Sequence, residues 1–212
     1  MRRLLNGAAA LVIAGLAVTA AGVPSATAAT NTPATPKVSQ TVVVNEVATV
    51  GPNGPLDEFV EVRNVNNSPM DLSGWQLRVY NAANRTVATI VVPAGIVLSP
   101  RDNIGQFLVL TGPTFGGTVA DPTNVLPLAV PGTTVGIPDN GGVAMFNPSG
   151  IKTDGVSFST TAITPREGTP ATPQSQATAV LGASSARDIL STDTDNNRQD
   201  FSLHQRTPGA MN

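Results

Sequence analysis

Residues 57–80, DEFVEVRNVNNSPMDLSGWQLRVY, leave this chain little freedom of fold. Val60 and Val62 alternate with Glu61 and Arg63, and Trp75, Leu77 and Val79 alternate with Gln76, Arg78 and Tyr80. A period of two is the period of a strand with two unlike faces. Asn66-Asn67-Ser68-Pro69 between the two runs is a turn sequence. The chain's one Trp and one Tyr both fall here, so the stretch sets much of the aromatic core.

The same grammar continues on either side. Residues 41–50, 86–92 and 96–98, and the nearly all-apolar 106–110, read as strands. So do 143–146 and 153–158, with weaker signals at 124–128, 133–137 and 177–181. Gly51-Pro52-Asn53-Gly54-Pro55, residues 81–84, Asp139-Asn140-Gly141-Gly142 and Asn147-Pro148-Ser149-Gly150 punctuate them. Many short strands at this spacing, with no long helical pattern, predict an all-β sandwich.

The chain opens with Arg2 and Arg3, an apolar run from Leu4 to Val23, and the small-residue exit Ala26-Thr27-Ala28. That is the layout of a signal peptide, residues 1–28, and it predicts export. The alternative is a retained anchor, which Pro24 and the glycines disfavour. No second apolar run reaches the length of a spanning helix. Residues 29–40 are Thr, Pro and Ala, an extended linker. Cleavage after Ala28 leaves 184 of the 212 residues, enough for one domain with a real core. It takes the 12 basic residues to 10 against 14 acidic, a net charge of −4. Such a surface is a poor footprint for nucleic acid. Cys is absent, which excludes disulfides, thiolate metal sites and Cys nucleophiles.

Several motifs taken in order carry a resemblance. Asn45-Glu46-Val47 is followed by residues 57–64 (DEFVEVRN) and 71–77 (DLSGWQL), then by Leu98-Ser99-Pro100, Gly142-Val143 and residues 150–156 (GIKTDGV). Together, over about residues 41–160, these resemble the lamin tail domain. The resemblance implies an immunoglobulin-like β-sandwich and a binding or tethering role without catalysis. Residues 161–212 are similar to the tail that follows this domain in bacterial members, through Arg166-Glu167-Gly168-Thr169-Pro170, Ser185-Ala186-Arg187, residues 193–197, Asp200-Phe201 and Thr207-Pro208-Gly209. This polar extension, with single apolar anchors at Ile189, Leu190, Phe201 and Leu203, is expected to wrap the sandwich loosely.

Four groups of residues invite a chemical reading. Glu46, Asp57, Glu58 and Glu61 offer oxygens to a divalent cation. The preferred alternative has Glu61 bonded to backbone or to Arg63 or Arg78, with Asp57 and Glu58 solvated at the strand mouth. Asp193, Asp195, Asn197 and Asp200 have a spacing that can curl around calcium, but the sixth and twelfth positions of the run hold Arg198 and His204, where an EF-hand needs Gly and Glu. A chain of Asx turns is preferred there. His204, the one His, would have to serve any Ser-His-Asp triad, and no Gly-x-Ser-x-Gly elbow accompanies it. Trp75, Phe59 and Tyr80 can form a sugar platform, but the alternation assigns Trp75 to the core and leaves Tyr80 and Phe115 as the better exposed aromatics.

The expectation is therefore a secreted, non-catalytic module that binds a protein or a cell-envelope component. Loops 51–57 and 111–124, or an exposed sheet edge, would meet the partner. No catalytic residues and no cofactor are assigned, with calcium at the 193–200 run the one exception held open. The rivals are a metal-dependent hydrolase or nuclease accessory using the acidic group, and a purely structural envelope protein.

Overall fold

The computed structural model describes residues 38–128 and 136–212. The expected leader and most of the linker lie outside these residues, as do 133–135 of one weak strand; Gly136 and Ile137 are not in a strand. Among the described residues no helix is long and apolar enough to cross a membrane.

Two β-sheets pack face to face. The larger uses β1 (Val42–Ala48), β2 (Phe59–Asn64), β7 (Phe107–Thr111), β8 (Val125–Pro127), β11 (Ala183–Ala186) and β12 (Ser202–Gln205), in the order β12-β11-β1-β2-β7-β8. The smaller uses β4 (Gln76–Tyr80), β5 (Thr86–Val91), β9 (Gly142–Phe146) and β10 (Lys152–Ser157), in the order β10-β9-β4-β5. β3 (Met70–Asp71) and β6 (Val97–Leu98) form a small ribbon. This is an immunoglobulin-like β-sandwich.

The core lies where the alternation puts it. Val42, Val44, Val60, Val62, Leu108 and Leu110 face Leu77, Val79, Val143, Met145 and Val156 between the sheets, with Trp75 beside them. Apolar burial of this kind stabilises by about 25 cal/mol per Å² of surface removed from water. β1 and β2 are buried along their whole length rather than on alternate residues. Their outer face is covered too: Phe59, Phe107 and Val109 pack beneath Phe115, Val119 and Met211.

The extension does part of this covering and also enters the sheet. β11 pairs antiparallel with β1, Glu46 opposite Ala186, and β12 pairs with β11. Two short helices, α1 (Gln176–Val180) and α2 (Asn197–Asp200), interrupt it. The strand expected at 177–181 is thus a helix. Ser175 caps it, accepting from the Thr178 amide while the Thr178 hydroxyl reaches back, and Gly182 at φ 69° ends it.

Candidate functional site

The sequence acids divide into separate places. Glu46 and Glu61 stand opposite each other on the outer face of β1 and β2. Two carboxylates so placed need donors, and the C-terminal segment brings them. Glu46 accepts from the Thr207 amide at 2.9 Å, the Thr207 hydroxyl at 3.2 Å and the Ser184 hydroxyl. Glu61 accepts from the Gly209 amide at 2.6 Å and from Asn45 Nδ2 at 2.7 Å. Burial raises the pKa of both, and the neighbouring Glu46 adds to the rise at Glu61.

Asp57 and Glu58 are fully buried, not solvated. The covering groups come from far away in the chain, which is why local pattern missed them. Asp57 accepts from the amides of Asn53 and Gly116 and from Arg206 Nη1, at 2.9, 3.0 and 3.0 Å. Burial works against its charge, but these bonds outweigh it and hold its pKa below the usual value. Glu58 accepts from the Ile137 amide at 2.6 Å, and burial pushes it up to about 7.

Asp57 also joins the two loops that the sequence nominates for recognition. With Asp57 between the Asn53 and Gly116 amides, Thr114 N–H donates to the Leu56 carbonyl and Asn53 Nδ2 to the Thr114 carbonyl. Pro52, Asn53, Pro55, Pro113, Thr114 and Gly116 remain exposed on the joined surface. Phe115 is half-buried, packed edge-on against Phe59 at 5.7 Å, with Arg206 5.5 Å from its ring.

The densest polar cluster was not foreseen. Arg187, just past β11, lies inside the molecule with no exposed side-chain surface. Its Nε donates to the Val44 carbonyl at 3.0 Å, and its Nη2 to both oxygens of Asp154 at 3.0 and 3.2 Å. Nη1 donates to the Thr192 carbonyl at 2.7 Å and lies 3.0 Å from Asp200 and 3.4 Å from Asp193. Phe201 packs under the guanidinium at 4.6 Å. The register of β10 shifts between Lys152 and Asp154 and that of β1 between Val44 and Glu46, and at this point Asp154 also accepts from the Val44 amide. One fork thus ties β1, β10 and the extension, which suits the planar donor set of Arg.

Glu167 lies beside this fork, bonded to Lys152 at 3.0 Å, with one buried oxygen lacking a donor among the described residues. Burial pushes its pKa up to about 9, the Asp154 charge adds to the push, and Lys152 opposes it. Burial raises Asp154 as well, and the Arg187 charge opposes that rise.

Oxygens of Asp154, Glu167 and Asp193 lie within 4.8 Å of one another, a spacing a divalent cation can bridge. Arg187 already supplies positive charge to all three, 3.0 Å from Asp154, 3.4 Å from Asp193 and 4.0 Å from Glu167. Of the four calcium candidates, Asp193 and Asp200 turn to Arg187. Asn197 is committed elsewhere, accepting from the amides of Ser157 and Glu167 and donating to the Gly155 carbonyl. Asp195 has φ 56°, and its pKa is raised by burial and by Asp193. Asp200 caps the preceding turn through the Thr194 amide and hydroxyl.

A shallow cleft of about 490 Å³ opens above Arg187, lined by Asp188, Thr192, Gln199, Ser202 and His204 among others. His204 is exposed on β12 and bonds to the Ser202 hydroxyl at 2.7 Å. Tyr80, expected at the surface, is buried in a satellite cluster with Ala144 and Phe146. Arg78 lies 4.0 Å over the Phe146 ring.

Comparison with curated proteins returns no match. The model of the Lamin Tail Domain family matches residues 35–160, a stretch that contains β1 to β10 and stops before β11. That family is a non-catalytic, immunoglobulin-like domain. With the sandwich and its register laid out as above, the chain belongs to the lamin tail domain family.

Proposed function

We propose that this protein is an exported, non-catalytic module that binds or tethers a protein or cell-envelope component outside the cell. The observation that supports this reading is the loop pair held by Asp57. Loops 51–57 and 111–124 are fixed to each other by a buried carboxylate, and they present an exposed Pro-, Thr- and Gly-rich surface on a rigid sheet. Loops held in this way recognise a partner with little ordering cost. Glu46, Glu61, Asp57 and Asp154 lend the hydrolase alternative no support, because they spend oxygens on internal amides and arginines; Glu58 keeps one oxygen without a donor among the described residues, but it is fully buried.

Retention on cell-wall and culture fractions tests the reading. The wild-type chain is expected to bind saturably, and the variant P55R/T114R, altered only at exposed loop positions, to lose at least tenfold in retention. Nuclease or esterase turnover that stays with the pure protein would count against it.

A further inference from the structure

We infer that β5 is a self-pairing edge, through which two copies of this chain form an antiparallel, two-fold dimer with one continuous eight-stranded sheet. The end strands of the two sheets are β12, β8, β10 and β5. Exposed edges invite pairing, and proteins usually blunt them. Three of the four are blunted here. β10 is closed by Asn197, which bonds the Ser157 amide and the Gly155 carbonyl, and by Ala171, whose amide takes the Ser157 carbonyl. β8 has three residues and contains Pro127. β12 is four residues long, carries His204 and runs into Arg206.

β5 carries no charge and no Pro within the strand; its blunting lies at the ends, with Arg85 and a bulge before it, where Val87 is skipped between the pairs Tyr80–Thr86 and Val79–Ala88, and Pro93 beyond it. Its sequence, TVATIV, is uncharged and rich in β-branched residues. The Val92 amide and carbonyl both bond toward β4, to the Trp75 carbonyl and from the Gly74 amide. In an antiparallel ladder the groups alternate, so Ile90 and Ala88 face β4 as well, and Thr89 and Val91 turn their amides and carbonyls outward. No hydrogen bond from outside the ladder reaches those groups among the described residues. Both residues are exposed, Val91 to 56%.

The occupant is a second copy because the free register is its own complement. A two-fold axis at Ile90 sets Thr89 against Val91 of the other copy and Val91 against its Thr89, and both pairs exchange two bonds. Ile90 meets Ile90 on the core face. No charge of β5 opposes another, and Arg85 falls opposite Gly95. The bulge at Val87 and Pro93 limit the pairing to this short stretch, so the dimer is weak, with a dissociation constant on the order of 100 µM.

Sedimentation equilibrium on the full chain tests this. Wild type is expected to pass from monomer to dimer as its concentration rises through that range. T89K/V91K sets Lys against Lys twice and is expected to weaken the dimer at least tenfold. T89K/V91E sets Lys against Glu twice in the same register and is expected to restore it to within about threefold. Trp75 fluorescence reports that each variant is folded. A wild-type chain that stays monomeric to about 1 mM overturns the inference, whether or not it takes up some other extended peptide. So does association that T89K/V91K leaves unchanged, or that T89K/V91E fails to restore.

Discussion

Arg187 and Asp154 meet at 3.0 Å with neither side chain exposed, one just past a strand of the large sheet and the other on the edge strand of the small one. The pair closes one side of the sandwich. Removing one partner of a buried pair leaves an uncompensated charge, which costs about 3–5 kcal/mol. R187A and D154A are each expected to lower stability by that amount in urea unfolding. The double variant R187M/D154L is expected to cost clearly less than the sum, because no charge is stranded at that pair.

Glu167 gives stability a pH dependence of definite sign. Its folded pKa, about 9, lies above the ordinary carboxylate value of 4.5, so the folded chain holds a proton that the unfolded chain releases. The contribution is complete below the ordinary value and is lost as pH rises toward 9. Glu58, at about 7, acts in the same direction over the lower part of that window. Melting temperature is expected to fall from pH 5 to pH 9, and E167Q to flatten the upper part of the fall. An equal slope in E167Q would place the proton elsewhere.

Residues 207–212 seal the outer face of the large sheet. Deleting them strips donors from Glu46 and Glu61, and a lost hydrogen bond to a charged group costs about 1.5–3 kcal/mol. The shortened chain is expected to unfold at markedly lower urea concentration. A chain ending at Thr160 also loses β11 from the side of β1, and is expected to show no cooperative transition.

Calcium is expected to add nothing to this cluster, because Arg187 holds the position a cation would take between Asp154 and Asp193. Melting temperature in excess chelator and in millimolar calcium should agree within a degree. A rise with calcium that D193A and D195A abolish would restore the metal reading of the 193–200 run.

The sandwich was legible because alternation reports burial directly: Val60, Val62, Leu77 and Val79 are core residues as their period requires. What stayed hidden depends on residues distant in sequence. Asp57 looked solvated because its partners Gly116 and Arg206 are 59 and 149 positions away. Tyr80 looked exposed because a one-sided strand was assumed, and its outward face packs against Ala144 and Phe146. The helix at Gln176–Val180 carried a local signal, Ser175 three residues before Thr178, within the stretch read as a weak strand. The cues to Arg187 were its place in the tail motif Ser185-Ala186-Arg187 and the acids that follow it, Asp188, Asp193, Asp195 and Asp200.

The place of β11 has a consequence in time. β2 follows β1 closely in the chain, yet the other side of β1 is met by residues 183–186, and Glu46 by Thr207, 161 positions later. As the chain emerges from its N-terminus, a strand that is buried along its whole length in the fold stays half-paired until residues 183–186 have been made. Such distant closure slows folding and prolongs exposure to aggregation. The late polar segment is the step that ends the danger.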